Sequence, residues 1–177
     1  MTTRLNQCSA RFYSRIFKPL LLFVLSAALL SACGFKLRGA YTLPEAMQST
    51  YVEHQQINAD LVRSLKTVLK ASDVKLAEAK GTGTAVLKLF KEVKSKRTVS
   101  VDSKGRAREY TLTYSLGFSL ISGQNKILIP GQVISIERDF LFDPEDVLGN
   151  SRGEFQLYEE MQEDLVRLLL LRLQSKA

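Results

Sequence analysis

Between Tyr110 and Leu120 apolar and polar side chains alternate without interruption: Tyr110, Leu112, Tyr114, Leu116, Phe118 and Leu120 fall on one side, and Glu109, Thr111, Thr113, Ser115 and Ser119 on the other. Period-two alternation of this length predicts an antiparallel strand with one covered face. Upstream, Ala85, Leu87, Leu89, Val93, Val99 and Val101 alternate with Lys88, Glu92, Lys94, Lys96, Thr98 and Ser100, broken only at Phe90 and Lys91. This predicts a second strand with one buried face and one basic face. Asp102-Ser103-Lys104-Gly105 and Ser122-Gly123-Gln124-Asn125 supply hairpin turns. A third strand follows from Ile127 to Phe142, with Pro130-Gly131 marking either a bulge or a start after the proline. Tyr51-Val52-Glu53 reads as a short first strand.

Helical spacing appears twice. After a capping Asn58, Leu61, Leu65, Val68 and Leu69 predict a helix from Ala59 to about Ala71. Asp143-Pro144-Glu145-Asp146 ends the sheet, 149–153 reads as a loose Gly-rich connection, and a second helix is expected from Glu154, with Tyr158, Met161, Leu165, Leu168 and Leu169 as its apolar stripe. The order β-α-β-β-β-α predicts an α+β two-layer sandwich, with two helices on one face of a mostly antiparallel four-stranded sheet. The uncovered face is polar and meets water or a polar partner without penalty.

The N-terminus obeys a different pattern. Arg4, Arg11, Arg15 and Lys18 precede the apolar run 20–30 with no acidic residue among them, the layout of a secretory leader. The run ends in Leu30-Ser31-Ala32-Cys33-Gly34, which resembles a bacterial lipobox, so residues 1–32 are expected to be removed and Cys33 acylated. A plain signal peptide or an uncleaved anchor are the other readings, but about 11 apolar residues are too few for a span that needs roughly 20. Gly34 lacks the aspartate of the inner-membrane retention rule, which suggests the outer membrane.

Cleavage changes the charge picture. Four basic residues leave with the leader, so 21 of the 25 Lys and Arg remain against 18 Asp and Glu, a balance of +3. That removes most of the case for nucleic-acid binding. Cys8 is lost and Cys33 consumed, so a single domain, 33–177, folds without a disulfide or thiolate.

Catalysis has little to work with. His54 has no nucleophile beside it, Asp143 and Asp146 read as turn and cap residues rather than calcium ligands, and no phosphate loop is present. No enzyme activity, metal or cofactor is expected. The hairpin concentrates cations instead: Lys94, Lys96 and Arg97 on one strand, Lys104 in the turn, Arg106 and Arg108 on the return. Such residues guard a sheet edge against aggregation, or they bind an anion whose phosphate oxygens suit guanidinium forks.

The run Cys33-Gly34-Phe35-Lys36-Leu37-Arg38-Gly39 resembles the mature start of the LptE family of lipopolysaccharide-assembly lipoproteins. The likeness continues through Leu43-Pro44, Met47, the helix to Leu69, Arg108-Glu109-Tyr110, Phe142-Asp143-Pro144 and Glu160-Met161. It implies a non-enzymatic partner that plugs the LptD β-barrel, helps it assemble and binds lipopolysaccharide on its way to the outer leaflet. It also implies that Lys104, Arg106 and Arg152 join the lipopolysaccharide-binding set, and that the lipid anchor holds the domain at the outer membrane on the periplasmic side or in the barrel lumen. The alternative is an outer-membrane scaffold lipoprotein that contacts other assembly machinery without binding lipid.

Overall fold

The computed structural model describes residues 41–175. Cys33, the leader and the Cys33–Gly39 run lie outside the described residues. A single 3-10 turn, Glu45–Met47, precedes strand β1, Ser49–His54. Helix α1 is Ala59–Ala71, and the strands that follow are β2, Lys75–Leu76, β3, Ala85–Val101, β4, Ala107–Ile121, and β5, Ile127–Leu141. Helix α2, Val147–Gln174, completes the described chain.

The fold is α+β, with two helices and one mixed sheet of five strands in the order β2-β1-β3-β4-β5. This corrects the expected four-stranded, mostly antiparallel sheet. β1 runs parallel to both β2 and β3, while β3, β4 and β5 are antiparallel. The missing strand is only two residues long, too short for any alternation to appear in the sequence. β1 turns out parallel to β3 because α1 carries the chain back across the sheet before the next long strand begins.

α1 forms where the sequence places it. Asn58 Oδ1 accepts from the Asp60 amide at 2.7 Å, and Leu61, Val62, Leu65 and Leu69 are buried. They meet Leu87, Leu89, Leu112, Leu116, Phe118 and Leu120 from the sheet, together with Met161, Leu165 and Leu169 of α2, in one core.

Both long hairpins turn alike. Asp102 N–H donates to Arg106 O at 2.8 Å with Gly105 at φ 76°, and Ser122 N–H donates to Lys126 O at 2.8 Å with Asn125 at φ 61°. In the second turn Asn125, rather than the neighbouring Gly123, takes the left-handed conformation that Asn tolerates. The Pro130-Gly131 interruption is a bulge inside a continuous β5: Ile129 pairs with Leu120 and Gln132 with Phe118.

α2 starts two turns earlier than expected. Asp146 Oδ1 accepts from Gly149 N–H at 2.9 Å, and Asn150 clamps Asp143 from both sides, its Oδ1 accepting from Asp143 N–H and its Nδ2 donating to Asp143 O. These contacts hold a Gly-rich segment in a helix that its composition disfavours. Glu154 therefore sits well inside the helix and not in its first turn.

Candidate functional site

The chemistry of the cationic hairpin is decided at Lys91, whose φ of 54° puts it in the left-handed region. Phe90 pairs with Gly117 and Val93 with Ser115, so three steps on β3 match two on β4. One extra residue in a strand moves everything beyond it to the opposite face. Val93, Val99 and Val101, expected in the core, are 43%, 51% and 59% exposed. Lys94 and Lys96, expected on the open face, instead pair opposite Tyr114 and Leu112, both fully buried beneath the helices.

The two lysines become part of the joint between sheet and α2. Lys94 Nζ lies 4.6 Å from the centre of the Tyr114 ring and 5.2 Å from that of Tyr158. Lys96 Nζ lies 4.1 Å from the Tyr110 ring, faces Phe140 and Phe142 at 5.5 and 5.8 Å, and is paired with Glu154 Oε2 at 2.5 Å. Cation–π contacts of this kind, partly shielded from water, are each worth about 0.5–2 kcal/mol. The Tyr158 hydroxyl donates to Ser95 O at 3.0 Å, adding a third tie from helix to strand. Burial raises the Tyr158 pKa, and the Glu154 carboxylate adds to the shift.

Beside them Glu92 bridges sheet and first helix. One oxygen accepts from the Tyr114 hydroxyl at 2.6 Å and the other from the Asn58 amide at 2.6 Å. Burial, reinforced by the hydrogen bond to Glu92, pushes the Tyr114 pKa far above its ordinary value, so the phenol stays a donor.

The remaining cations separate. Arg97 points to the open face in register with Thr111, whose hydroxyl donates to Asp139 Oδ1 at 3.2 Å. Arg106 Nε donates to Asp102 Oδ2 at 2.8 Å. Arg106 N–H, above all, with its guanidinium and the Lys104 amide, holds the Asp102 carboxyl below the ordinary range. Lys104 is exposed in the turn. Arg108 lines an open cleft of about 420 Å³ with Ser100, Glu109, Leu141, Phe142, Asp143 and Asn150. Arg152 is exposed on the second turn of α2.

Strand register puts the turn at 102–106, the C-terminal end of β5 and the start of α2 at one end of the sheet, since Glu109 pairs with both Ser100 and Leu141. Among the described residues, Arg97, Lys104, Arg108 and Arg152 take part in no ion pair. The seven candidates thus divide into two that hold α2, one engaged by Asp102, and four with unpaired charge. His54 is exposed at the end of β1, and Asp143 and Asp146 accept from Glu145 and Gly149 amides as turn and cap.

Sequence reasoning missed Leu141 and Phe142 as lining of the cleft, and Leu148 and Phe155 as exposed apolar residues of α2. The break in alternation at Phe90-Lys91 was the one available signal for the change of face.

The family model described as LptE, lipopolysaccharide-assembly, matches residues 46–173. The chain belongs to the LptE family. Among LptE relatives, the "LPS-assembly lipoprotein LptE" of Photorhabdus laumondii is 27% identical over 153 residues, 86% of this chain and 83% of the relative. That of Pectobacterium atrosepticum is 25% identical over 155 residues, 84% and 80% of the two chains. Among solved structures, an uncharacterized lipoprotein B from Nitrosomonas europaea superposes with a TM-score of 0.66 at 26% identity, covering 80% of this chain and 91% of that one. Rare lipoprotein B from Shewanella oneidensis gives 0.65 at 25% identity, covering 72% and 94%.

Proposed function

We propose that this chain is a non-enzymatic outer-membrane lipoprotein, cleaved before Cys33 and acylated there, that plugs the LptD β-barrel, assists its assembly and contacts lipopolysaccharide during export. The family match over 46–173 carries this reading. Relatives named LPS-assembly lipoprotein support the anchor, as does the lipobox-like Leu30–Gly34. The open sheet face, with Thr111, Thr113, Ser115, Glu137 and Asp139, has the polarity that the water-filled interior of a large barrel accepts.

For the lipopolysaccharide contact, the seven cations carry unequal weight. Lys94 and Lys96 act by positioning α2, and Arg106 by closing the turn. Lys104, Arg108 and Arg152, at the end of the sheet where Leu141 and Phe142 line the cleft, set cations beside apolar surface. An acylated phosphosugar presents the complementary pair of charges and chains. Arg97, on the open face, adds a fourth cation.

The combined variant Lys104→Glu, Arg108→Glu and Arg152→Glu is expected to bind lipopolysaccharide about tenfold or more weakly, with an unchanged melting temperature. Unchanged binding in a folded variant overturns the assignment of these residues. A wild-type chain that retains the barrel yet has no affinity for lipopolysaccharide would make the protein a scaffold instead.

A further inference from the structure

Beyond His54 the sheet loses a strand on one side. β1 pairs with β3 only from Thr50 opposite Ala85 to His54 opposite Leu89, after which the chain turns away into α1. β3 continues to Val101 with β4 on one flank, and among the described residues no strand occupies the other. Every residue from Val93 to Val99 is exposed. Pairing with β4 is regular from Val93 to Thr98 and shifts twice between Thr98 and Val101, so at about 3.3 Å per residue the regular stretch offers roughly 20 Å of strand without a ladder partner on its outer flank. An edge of that length is a template for another strand.

The two other edges are less open. β2 has two residues, and β5 is broken by the Pro130-Gly131 bulge and overhung by α2 through Arg138 Nη2 and Asp164 Oδ2 at 2.8 Å. On β3 the lysines that ordinarily guard an edge are drawn over aromatic rings on the helix side, and among the described residues the backbone from Val93 to Thr98 takes side-chain hydrogen bonds at Val93 O, from Ser115, and at Ser95 O, from Tyr158.

Side-chain chemistry selects the occupant. From Lys91 to Arg97 the strand carries four cations against Glu92, and both Glu92 oxygens are engaged by Tyr114 and Asn58. The same edge of a second copy would bring like charges together. A strand added here sets alternate residues beside Lys94 and Lys96 on the helix side and beside Val93 and Ser95 on the open side.

We propose that the Val93–Thr98 edge of β3 accepts an extended segment of a partner protein as an added strand, with acidic residues beside Lys94 and Lys96 and an apolar residue beside Val93. Backbone hydrogen bonds supply the attachment, and the alternating charge and apolar contacts supply selectivity. This surface shares Arg97 with the cations assigned to lipopolysaccharide, but it rests on the strand edge and stands without that assignment.

The probe is a synthetic peptide of about ten residues alternating Glu and Val, added to the full chain in detergent. Binding is read by fluorescence anisotropy and the site by amide hydrogen exchange. The peptide is expected to bind and to slow exchange within 93–98, while a Lys-for-Glu peptide binds about tenfold or more weakly. Two further peptides, N-methylated at every second amide in opposite registers, separate strand pairing from charge attraction: one register should abolish binding and the other preserve it. Equal binding by both, protection outside 93–98, or self-association of the chain that protects the same amides without peptide would each overturn the proposal.

Discussion

The carboxylate of Glu92 joins the cap of α1 to a tyrosine buried under α2, so its two hydrogen bonds tie three elements through one side chain. Tyr114→Phe removes one of them and leaves a half-buried carboxylate with a lone partner; a loss of about 1–2 kcal/mol is expected in denaturant unfolding. Gly117 is fixed by proximity instead. A Cβ there would lie 2.5–2.7 Å from the Phe90 ring and carbonyl, so Gly117→Ala should cost roughly 1–3 kcal/mol, only partly relieved by Phe90→Leu because the carbonyl remains. Asp102 provides a pH-dependent turn. Its folded pKa lies below the unfolded value, so the order it lends the hairpin is complete above the ordinary carboxylate range and is lost as pH falls through the lowered folded value. The protection of the Lys104 and Arg106 amides, relative to the intrinsic exchange rate at each pH, should therefore fall on acidification in the wild type, and not in Asp102→Asn.

At the scale of elements, α2 has two kinds of attachment. Its C-terminal half buries Met161, Leu165, Val166, Leu169, Leu170 and Leu173, whereas its N-terminal half rests on Lys94, Lys96, Tyr158 and Glu154 and leaves Val147, Leu148 and Phe155 exposed. Lys96→Met and Glu154→Gln should show a coupling of about 0.5–1 kcal/mol in a double-mutant cycle, because both side chains are only 29% exposed. The elements legible in the sequence were those whose period is set by one continuous buried face, α1 and β4. What stayed hidden depended on contacts distant along the chain. The first turns of α2 read as a loop because Gly149 and Gly153 disfavour helix, yet Asp146 and the Asn150–Asp143 clamp fix them. The face carried by Lys94 and Lys96 hinged on one bulge residue, whose location the broken alternation marked but whose effect on the stretch from Val93 to Thr98 it did not reveal. Which cations keep their charge unpaired was equally illegible, since Glu154 lies 58 residues from Lys96.

On the scale of the whole molecule, one face of the sheet is packed under helices and the other is mostly polar with Val93 and Val133 exposed on it, with unpaired cations at the turn end and an unpaired edge along β3. No helix among the described residues is long and apolar enough to cross a membrane. On the function proposed above, attachment to the outer membrane falls to acylated Cys33 and to the barrel. Membership of the LptE family makes that barrel partner the central claim. It is tested most directly by purifying the full chain from detergent-solubilised outer membranes and identifying the integral protein that accompanies it. LptD is expected to co-purify in near-equal amount; recovery of the chain without LptD, from membranes that contain the mature barrel, would contradict the account.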